Sequence, residues 1–180
     1  MCGICGIIPA YRTHTPDRER IERMVARLRH RGPDDTGLHV ESGAGLGHAR
    51  LSVIDIAGGL QPIYNETREI AIVYNGEIYN FRELRHALES RGHAFSTSTD
   101  TEVIVHLYEE HGVQCLEHLR GMFAFALYDK RRHRLFAARD RVGKKPFYHA
   151  VRGGEFLFAS ELKALMAHPD VHREIDPVAL

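Results

Sequence analysis

Cysteine is scarce and odd in number: three in 180 residues, too few for a disulfide framework. A reducing compartment, the cytoplasm, fits that count. Charge of either sign is not in excess, with 24 Lys and Arg against 24 Asp and Glu. The balance argues against a nucleic-acid partner, and there is no acidic tail. No run is long and apolar enough to span a bilayer, and no basic-then-apolar signal peptide opens the chain, so no membrane partner is expected. Internal repeats and low-complexity segments are missing. The glycine-rich stretches hold no G-x(4)-G-K-[ST] phosphate loop. Thirteen histidines are present, yet none shows H-x(3–5)-H spacing after a cysteine pair, so no metal site is read from the sequence.

What is present describes one globular domain. Hydrophobic residues make up 43% and charged ones 27%, enough to bury a sizeable core. Gly3–Ile8 reads as a buried strand stopped by Pro9. Thr15-Pro16-Asp17 reads as a helix start with Thr15 as cap, and Ile21, Met24, Val25 and Leu28 form one apolar helical face. Residues 38–40, 47–54 and 70–74 read as strands, the last followed by Asn75-Gly76. A second helix is expected after Asn80, with Glu83 completing a capping box, and a third after Thr99. Residues 122–129 with 134–140, and 147–151 with 156–159, are strand pairs joined too tightly for a crossover, hence antiparallel hairpins. A short helix over residues 161–168 closes the pattern. Antiparallel strands with grouped helices predict an α+β layered fold.

Cys2 is the first candidate for chemistry. If Met1 is removed, one residue carries both a thiol and a free α-amine. Free thiols titrate near 8.5 and α-amines near 7.7–8.0, so proton transfer between them is nearly isoenergetic. Two other readings stand beside this one. Cys2 is an inert thiol, or Cys2-Gly3-Ile4-Cys5 is a C-x-x-C metal or redox motif. Cys5 and Cys115 read as small core residues.

Asn75-Gly76 is either a hairpin turn or an oxyanion hole built from a side-chain amide and a close-approaching backbone N–H. Arg50 is either a surface residue or a bidentate grip for a carboxylate. Asp100 and Glu77 are either ordinary charges, Asp100 at a helix start, or partners for a substrate ammonium. Together the four groups suit a free amino acid with a side-chain amide. His30 reads as a loop or pocket-mouth residue, Lys144 and Lys145 as solvated charges or a partner-facing surface, and residues 122–127 as core.

Read in order, Cys2-Gly3-Ile4, Arg29-His30-Arg31-Gly32-Pro33-Asp34, Arg50-Leu51-Ser52-Val53-Ile54-Asp55, Asn75-Gly76-Glu77-Ile78-Tyr79-Asn80 and Asp100-Thr101-Glu102 resemble the class II glutamine amidotransferase domain. Gly121-Met122-Phe123-Ala124-Phe125, Ala138-Arg139-Asp140-Arg141, Gly143-Lys144-Lys145-Pro146 and Phe158-Ala159-Ser160-Glu161 are similar to its asparagine synthetase branch. The resemblance implies a four-layer αββα sandwich of antiparallel sheets, the N-terminal nucleophile hydrolase fold. It implies that Cys2 attacks the side-chain amide of L-glutamine, with Asn75 and Gly76 on the oxyanion. Arg50 would take the α-carboxylate, and Glu77 and Asp100 the α-ammonium. The backbone of Leu51, Ser52, Val53 and Ile54 would line the pocket.

Such hydrolysis needs no cofactor. ATP and Mg are expected only in a synthetase domain, whose S-G-G-x-D-S loop this sequence lacks. The glutaminase domain is placed at residues 2–168, and residues 169–180 read as the start of a linker toward an ATP-dependent domain or subunit that would receive ammonia. A homodimer stays open, as does a non-catalytic role docking to or regulating a synthetase.

Overall fold

The computed structural model describes residues 1–52, 55 and 58–172. Val53 and Ile54, and residues 173–180 of the expected linker, lie outside the described residues.

Among the described residues, nine strands form two sheets. The first takes β1 (Gly3–Pro9), β2 (Asp35–Glu41), β3 (Ala44–Arg50), β8 (Tyr148–Arg152) and β9 (Glu155–Ala159), in the order β2-β3-β1-β9-β8. The second takes β4 (Ile63–Tyr64), β5 (Ile70–Ile78), β6 (Gly121–Asp129) and β7 (Arg134–Arg139), in that order. Every pairing is antiparallel, including both predicted hairpins. Helices α1 (Arg18–Ala26) and α4 (Leu162–Leu165) cover the first sheet, and α2 (Phe81–Ser90) and α3 (Glu102–His111) the second.

Three apolar layers hold this stack. Strand alternation sends Cys5, Ile7 and Ala49 outward against Ile21, Met24, Val25 and Leu28. It sends Ile4, Leu46, Ala71, Val73, Ala124 and Phe158 inward, between the sheets. Ile72, Tyr74, Ile78 and Phe125 face the α2–α3 layer. The four-layer αββα expectation is therefore met. Each fully buried aliphatic side chain of the α1 stripe contributes about 1.5–3 kcal/mol. That helix lies close because β3 is bare beneath it: a Cβ on Gly45 would stand 2.1 Å from Ile21 Cδ1.

Several local expectations are corrected. Asp17, not Thr15, caps α1, its carboxylate accepting the Glu19 N–H at 2.9 Å. Asn80 makes no cap hydrogen bond to α2. Its amide instead bridges the His118 carbonyl and the Arg120 N–H, so the drop into α2 is held by the strand-entry loop. Glu102 belongs to α3 itself and accepts the N–H groups of Ser96 and Thr97, fastening the preceding loop to the helix start. Strand β3 ends at Arg50 rather than at residue 54, because its partner β2 begins at Asp35, opposite Arg50. The two-residue β4 carries too little periodicity to be read from sequence. Among the described residues no helix is long and apolar enough to cross a membrane.

Candidate active site

Asn75 and Gly76 are not a turn. Strand β5 runs through both to Ile78, with Asn75 opposite Ala124 and Gly76 opposite Phe123. The hairpin reading fails because β6 supplies a full-length antiparallel partner, and tertiary pairing overrides the local turn preference. In a strand the Asn75 side chain shares the inter-sheet face with Val73 and Ala71. It is 2% exposed, and its Nδ2 has no hydrogen-bond partner among the described residues. A buried amide donor left unpaired costs about 1–3 kcal/mol, so such a group calls for a reason.

The backbone of the next residue points to the same space. Strand β4 pairs with β5 only as far as Ile72, which leaves the rest of that edge open. Along it the Tyr74 N–H donates to Gln61 Oε1 at 2.7 Å and the Ile78 N–H to Asp100 Oδ2 at 2.9 Å. The Gly76 N–H lies between them on the same edge, and Gly76 lines the cleft. No side chain fits there: a Cβ on Gly76 would stand 2.4 Å from the Met122 carbonyl oxygen and 2.8 Å from Phe123 Cα. Both are backbone atoms of β6 and cannot swing aside.

The cleft gathers Cys2, Arg50, Leu51, Asn75, Gly76, Glu77 and Asp100, seven of the residues picked out from sequence. Ser52 is not in its lining, and its N–H donates to Asp34 Oδ2 at 2.7 Å. Cys2 stands at the N-terminal end of β1 with Sγ 3.4 Å from the Leu51 N–H. The Arg31 Nε donates to the Cys2 carbonyl at 2.9 Å, and Arg31 Nη1 donates to Glu161 Oε1 at 2.9 Å. Glu161 also meets His30 and Lys163, which makes His30 a loop fastener. Asp34 donates its N–H to the Arg50 carbonyl. The Arg29–Asp34 motif thus holds the start of β1 and the end of β3 in one frame.

Cys5 cannot share a site with Cys2. Three residues apart along an extended chain, the two side chains leave on opposite faces, and Cys5 is packed under α1. Burial pushes its thiol well up, and likewise that of Cys115, to about 12. The C-x-x-C metal or redox reading falls with that geometry, and Cys5 and Cys115 are core residues as expected.

The charges in the cleft are two of each sign. Arg50 is 5% exposed; its Nη2 donates to the Asp55 carbonyl at 2.5 Å and packs on Gly59. Asp55 holds a left-handed backbone, φ 51°, which aspartate tolerates better than most residues. Its carboxylate accepts the Gly58 and Ser98 N–H groups, which ties the Arg50 loop to the Asp100 loop. Asp100 accepts the Tyr74 hydroxyl at 2.8 Å as well as the Ile78 N–H. Burial raises its carboxyl above the ordinary 3.8, and those two donors offset only part of the rise. Glu77 stands exposed at the rim.

Sequence reasoning missed three contributors. Tyr74 reads as a core residue from strand alternation, yet its hydroxyl orients Asp100. Gln61 sits in a stretch without periodicity. Lys145 reads as solvated, yet it is 7% exposed and lines the cleft with Nζ 3.5 Å from Met1 Sδ. Only its place five residues after Asp140, in a tight turn on that carboxylate, buries it, and no spacing signals that.

Comparison with known proteins fits this geometry. Residues 1–180 match the model of the glutamine amidotransferase domain. The chain is 44% identical over 182 residues to asparagine synthetase (glutamine-hydrolyzing) 3 of Bacillus subtilis, covering 100% of this chain and 30% of that protein. It is 48% identical over 166 residues to asparagine synthetase (glutamine-hydrolyzing) 3 of Arabidopsis thaliana, covering 92% of this chain and 28% of that one. The chain therefore spans under a third of the length of either relative. Among solved structures it resembles the allosteric regulatory enzyme of purine biosynthesis, with TM-score 0.75 and 24% identity over 92% of this chain and 43% of that one. Glutamine phosphoribosylpyrophosphate amidotransferase from B. subtilis gives TM-score 0.74 at 22% identity, with the same coverage of 92% and 43%. These two likenesses show a shared fold. A sequence match that runs the whole length of the chain makes it a member of the glutamine amidotransferase domain family.

Proposed function

We propose that this domain hydrolyses L-glutamine to L-glutamate and ammonia at Cys2, and that the ammonia serves amide synthesis by an ATP-dependent partner of asparagine synthetase type. The observation that carries the first part is the buried Asn75 Nδ2, which has no partner among the described residues and lies in the same cleft as the Cys2 thiol. An unpaired donor in a sheltered cleft has a use if negative charge develops beside it.

The reaction begins with removal of Met1, which itself lines the cleft. The freed Cys2 amine takes the thiol proton, and the thiolate attacks the side-chain carbonyl carbon of glutamine. The carbonyl oxygen becomes an oxyanion held by Asn75 Nδ2 and the Gly76 N–H. Collapse breaks the C–N bond. The amine returns its proton to the leaving nitrogen, so ammonia departs and a glutamyl thioester remains. Water then attacks the thioester carbonyl, the amine again takes and returns the proton, and glutamate leaves. Arg50 receives the α-carboxylate, and Asp100 with Glu77 receives the α-ammonium. The buried Asp100 carboxylate gains most from that pairing, because a cation at hydrogen-bond distance offsets its desolvation. ATP and Mg belong to the partner, and the hydrolysis needs neither.

The synthetase part rests on the 44% and 48% identities to the two asparagine synthetases. The direct test is glutamate release from glutamine by the purified domain, by its Cys2→Ala variant, and by a form with a blocking N-terminal extension. The first should turn over and the other two should not. Equal rates in all three would defeat the mechanism. A domain inert alone but active once a synthetase partner is added would assign it a coupled role. Inertness under both conditions would favour the docking reading.

A further inference from the structure

Away from the cleft, four side chains from three segments converge on one point. His106 and Glu109 are one turn apart on α3, His93 follows α2, and Glu66 lies in the turn before β5. One ligating atom from each lies within 4.8 Å of all the others. His106 Nδ1 is 2.9 Å from Glu109 Oε2 and 3.9 Å from Glu66 Oε2, and His93 Nδ1 is 3.7 Å from Glu109 Oε2. Tetrahedral zinc bonds of about 2.0–2.2 Å place ligand atoms roughly 3.3–3.6 Å apart. The three observed separations straddle that range.

The groups behind the cluster distinguish it from a chance meeting of surface acids. The second polar atom of three of the four ligands is met from outside the cluster. Asn65 Nδ2 donates to Glu109 Oε1 at 2.8 Å, and the Ala94 N–H to Glu66 Oε1 at 3.1 Å. His93 Nε2 lies 3.2 Å from Glu110 Oε1. His106 is fully buried, and its Nε2, which has no hydrogen-bond partner among the described residues, faces Glu102 Oε1 at 3.8 Å. At His93 the Glu110 carboxylate behind Nε2 favours the tautomer with Nε2–H outward and the Nδ1 lone pair inward, the arrangement that orients metal-bound histidines. At His106 the nearer carboxylate is Glu109 on Nδ1, a contact that a bound cation would replace. Charge agrees. Among the described residues, Arg91 is the one guanidinium or ammonium that pairs with any of Glu66, Glu102, Glu109 and Glu110.

We infer that Glu66, His93, His106 and Glu109 form a structural site for a divalent cation of the zinc class. Two imidazoles and two carboxylates suit zinc better than calcium or magnesium, which take oxygen ligands. Four protein ligands close the site, so its role is to staple rather than to catalyse. The staple fastens α3 to the turn before β5 and to the loop after α2. Helix α3 starts two residues after Asp100, so the site also steadies one wall of the cleft. The rival occupant is a proton. Burial alone would lower the His106 imidazole, but Glu102 and Glu109 outweigh it and take it up to about 9.

The inference does not depend on glutamine chemistry, and its test avoids activity. The protein is the untagged Cys2→Ala chain, which removes the accessible thiol as a rival ligand, dialysed free of metal and titrated with zinc chloride alone. One zinc should bind per chain, and cobalt in its place should give the visible absorption of a tetrahedral, thiolate-free site. Saturating zinc, at a hundredfold excess over Kd, should raise the melting temperature by roughly 5 °C or more. Glu66→Gln and His93→Gln, both outside the deep core, should each weaken binding by at least about tenfold and cut the thermal shift at that zinc concentration by about half or more. Their fold is checked by circular dichroism, which makes the harsher change at buried His106 unnecessary. No uptake would overturn the site and leave His106 with its proton. Uptake that both variants leave unchanged would assign the zinc to other histidines and overturn it equally.

Discussion

Removing the Asn75 side chain should separate catalysis from stability, because its buried Nδ2 has no partner to lose among the described residues. Asn75→Ala is expected to lower kcat by about 10²–10³, the usual effect of deleting one oxyanion donor, with KM near that of the parent. Its melting temperature should change little, whereas deleting a paired buried amide costs about 1–3 kcal/mol. Steady-state glutaminase assays beside thermal melts check both halves; a large loss of stability with kcat retained would make Asn75 a structural residue. Asp100 supplies a pH test. Burial raises its carboxyl above 3.8, and only the ionised form can hold an ammonium. As pH falls through that raised value, kcat/KM should fall. Asp100→Asn should bind glutamine weakly at every pH and lack this acid limb. A profile unchanged by the substitution would place the limb on another group. At this scale the sequence singled out Cys2, Arg50 and Asp100, each beside an ordinary reading, and the structure brings all three to one cleft. The roles of Tyr74 and Lys145 were not legible, because they arise from burial that no local spacing encodes.

Strand β5 illustrates how an element can hide its length. Its apolar alternation stops at Tyr74, and Asn-Gly is a strong turn signal. Only the facing β6 carries the strand on to Ile78, and a partner more than forty residues away is invisible to local reading. Helix α1 was legible for the opposite reason: its stripe of Ile21, Met24, Val25 and Leu28 is complete in itself, and all four are buried. Its cap was misplaced because Thr15 and Asp17 are both cap-forming residues and only geometry selects Asp17. The Arg29–Asp34 loop makes a prediction at this scale. Partial burial alone would raise the Glu161 carboxyl, but Arg31, His30 and Lys163 outweigh it and hold it at about 2 against an ordinary 4.5. A depressed carboxyl stabilises the fold above its unfolded value, and that share is lost as pH falls from about 4.5 to about 2. Glu161→Gln should therefore be less stable at neutral pH and lose less stability across that window. Acid titrations followed by circular dichroism compare the two slopes; parallel curves would show that the Arg31–Glu161 pair contributes nothing measurable.

At the largest scale, the described residues form four layers whose two sheets meet over an apolar filling, with the cleft gathered where β1, β3 and β5 bring Cys2, Arg50 and Asn75 together. That architecture was legible from the alternation of strands and helices and from the ordered motifs. The sheet order was not, since β9 returns beside β1 across nearly the whole chain. The central claim is that Cys2, freed of Met1, is the nucleophile of a glutamine pocket. The most direct measurement is the intact mass of the protein before and after incubation with a diazo-ketone analogue of glutamine, followed by peptide mapping. The account predicts a chain lacking Met1 that gains one adduct, located on Cys2 and prevented by excess glutamine. A chain that keeps Met1 and takes no label, or one labelled elsewhere, would contradict it.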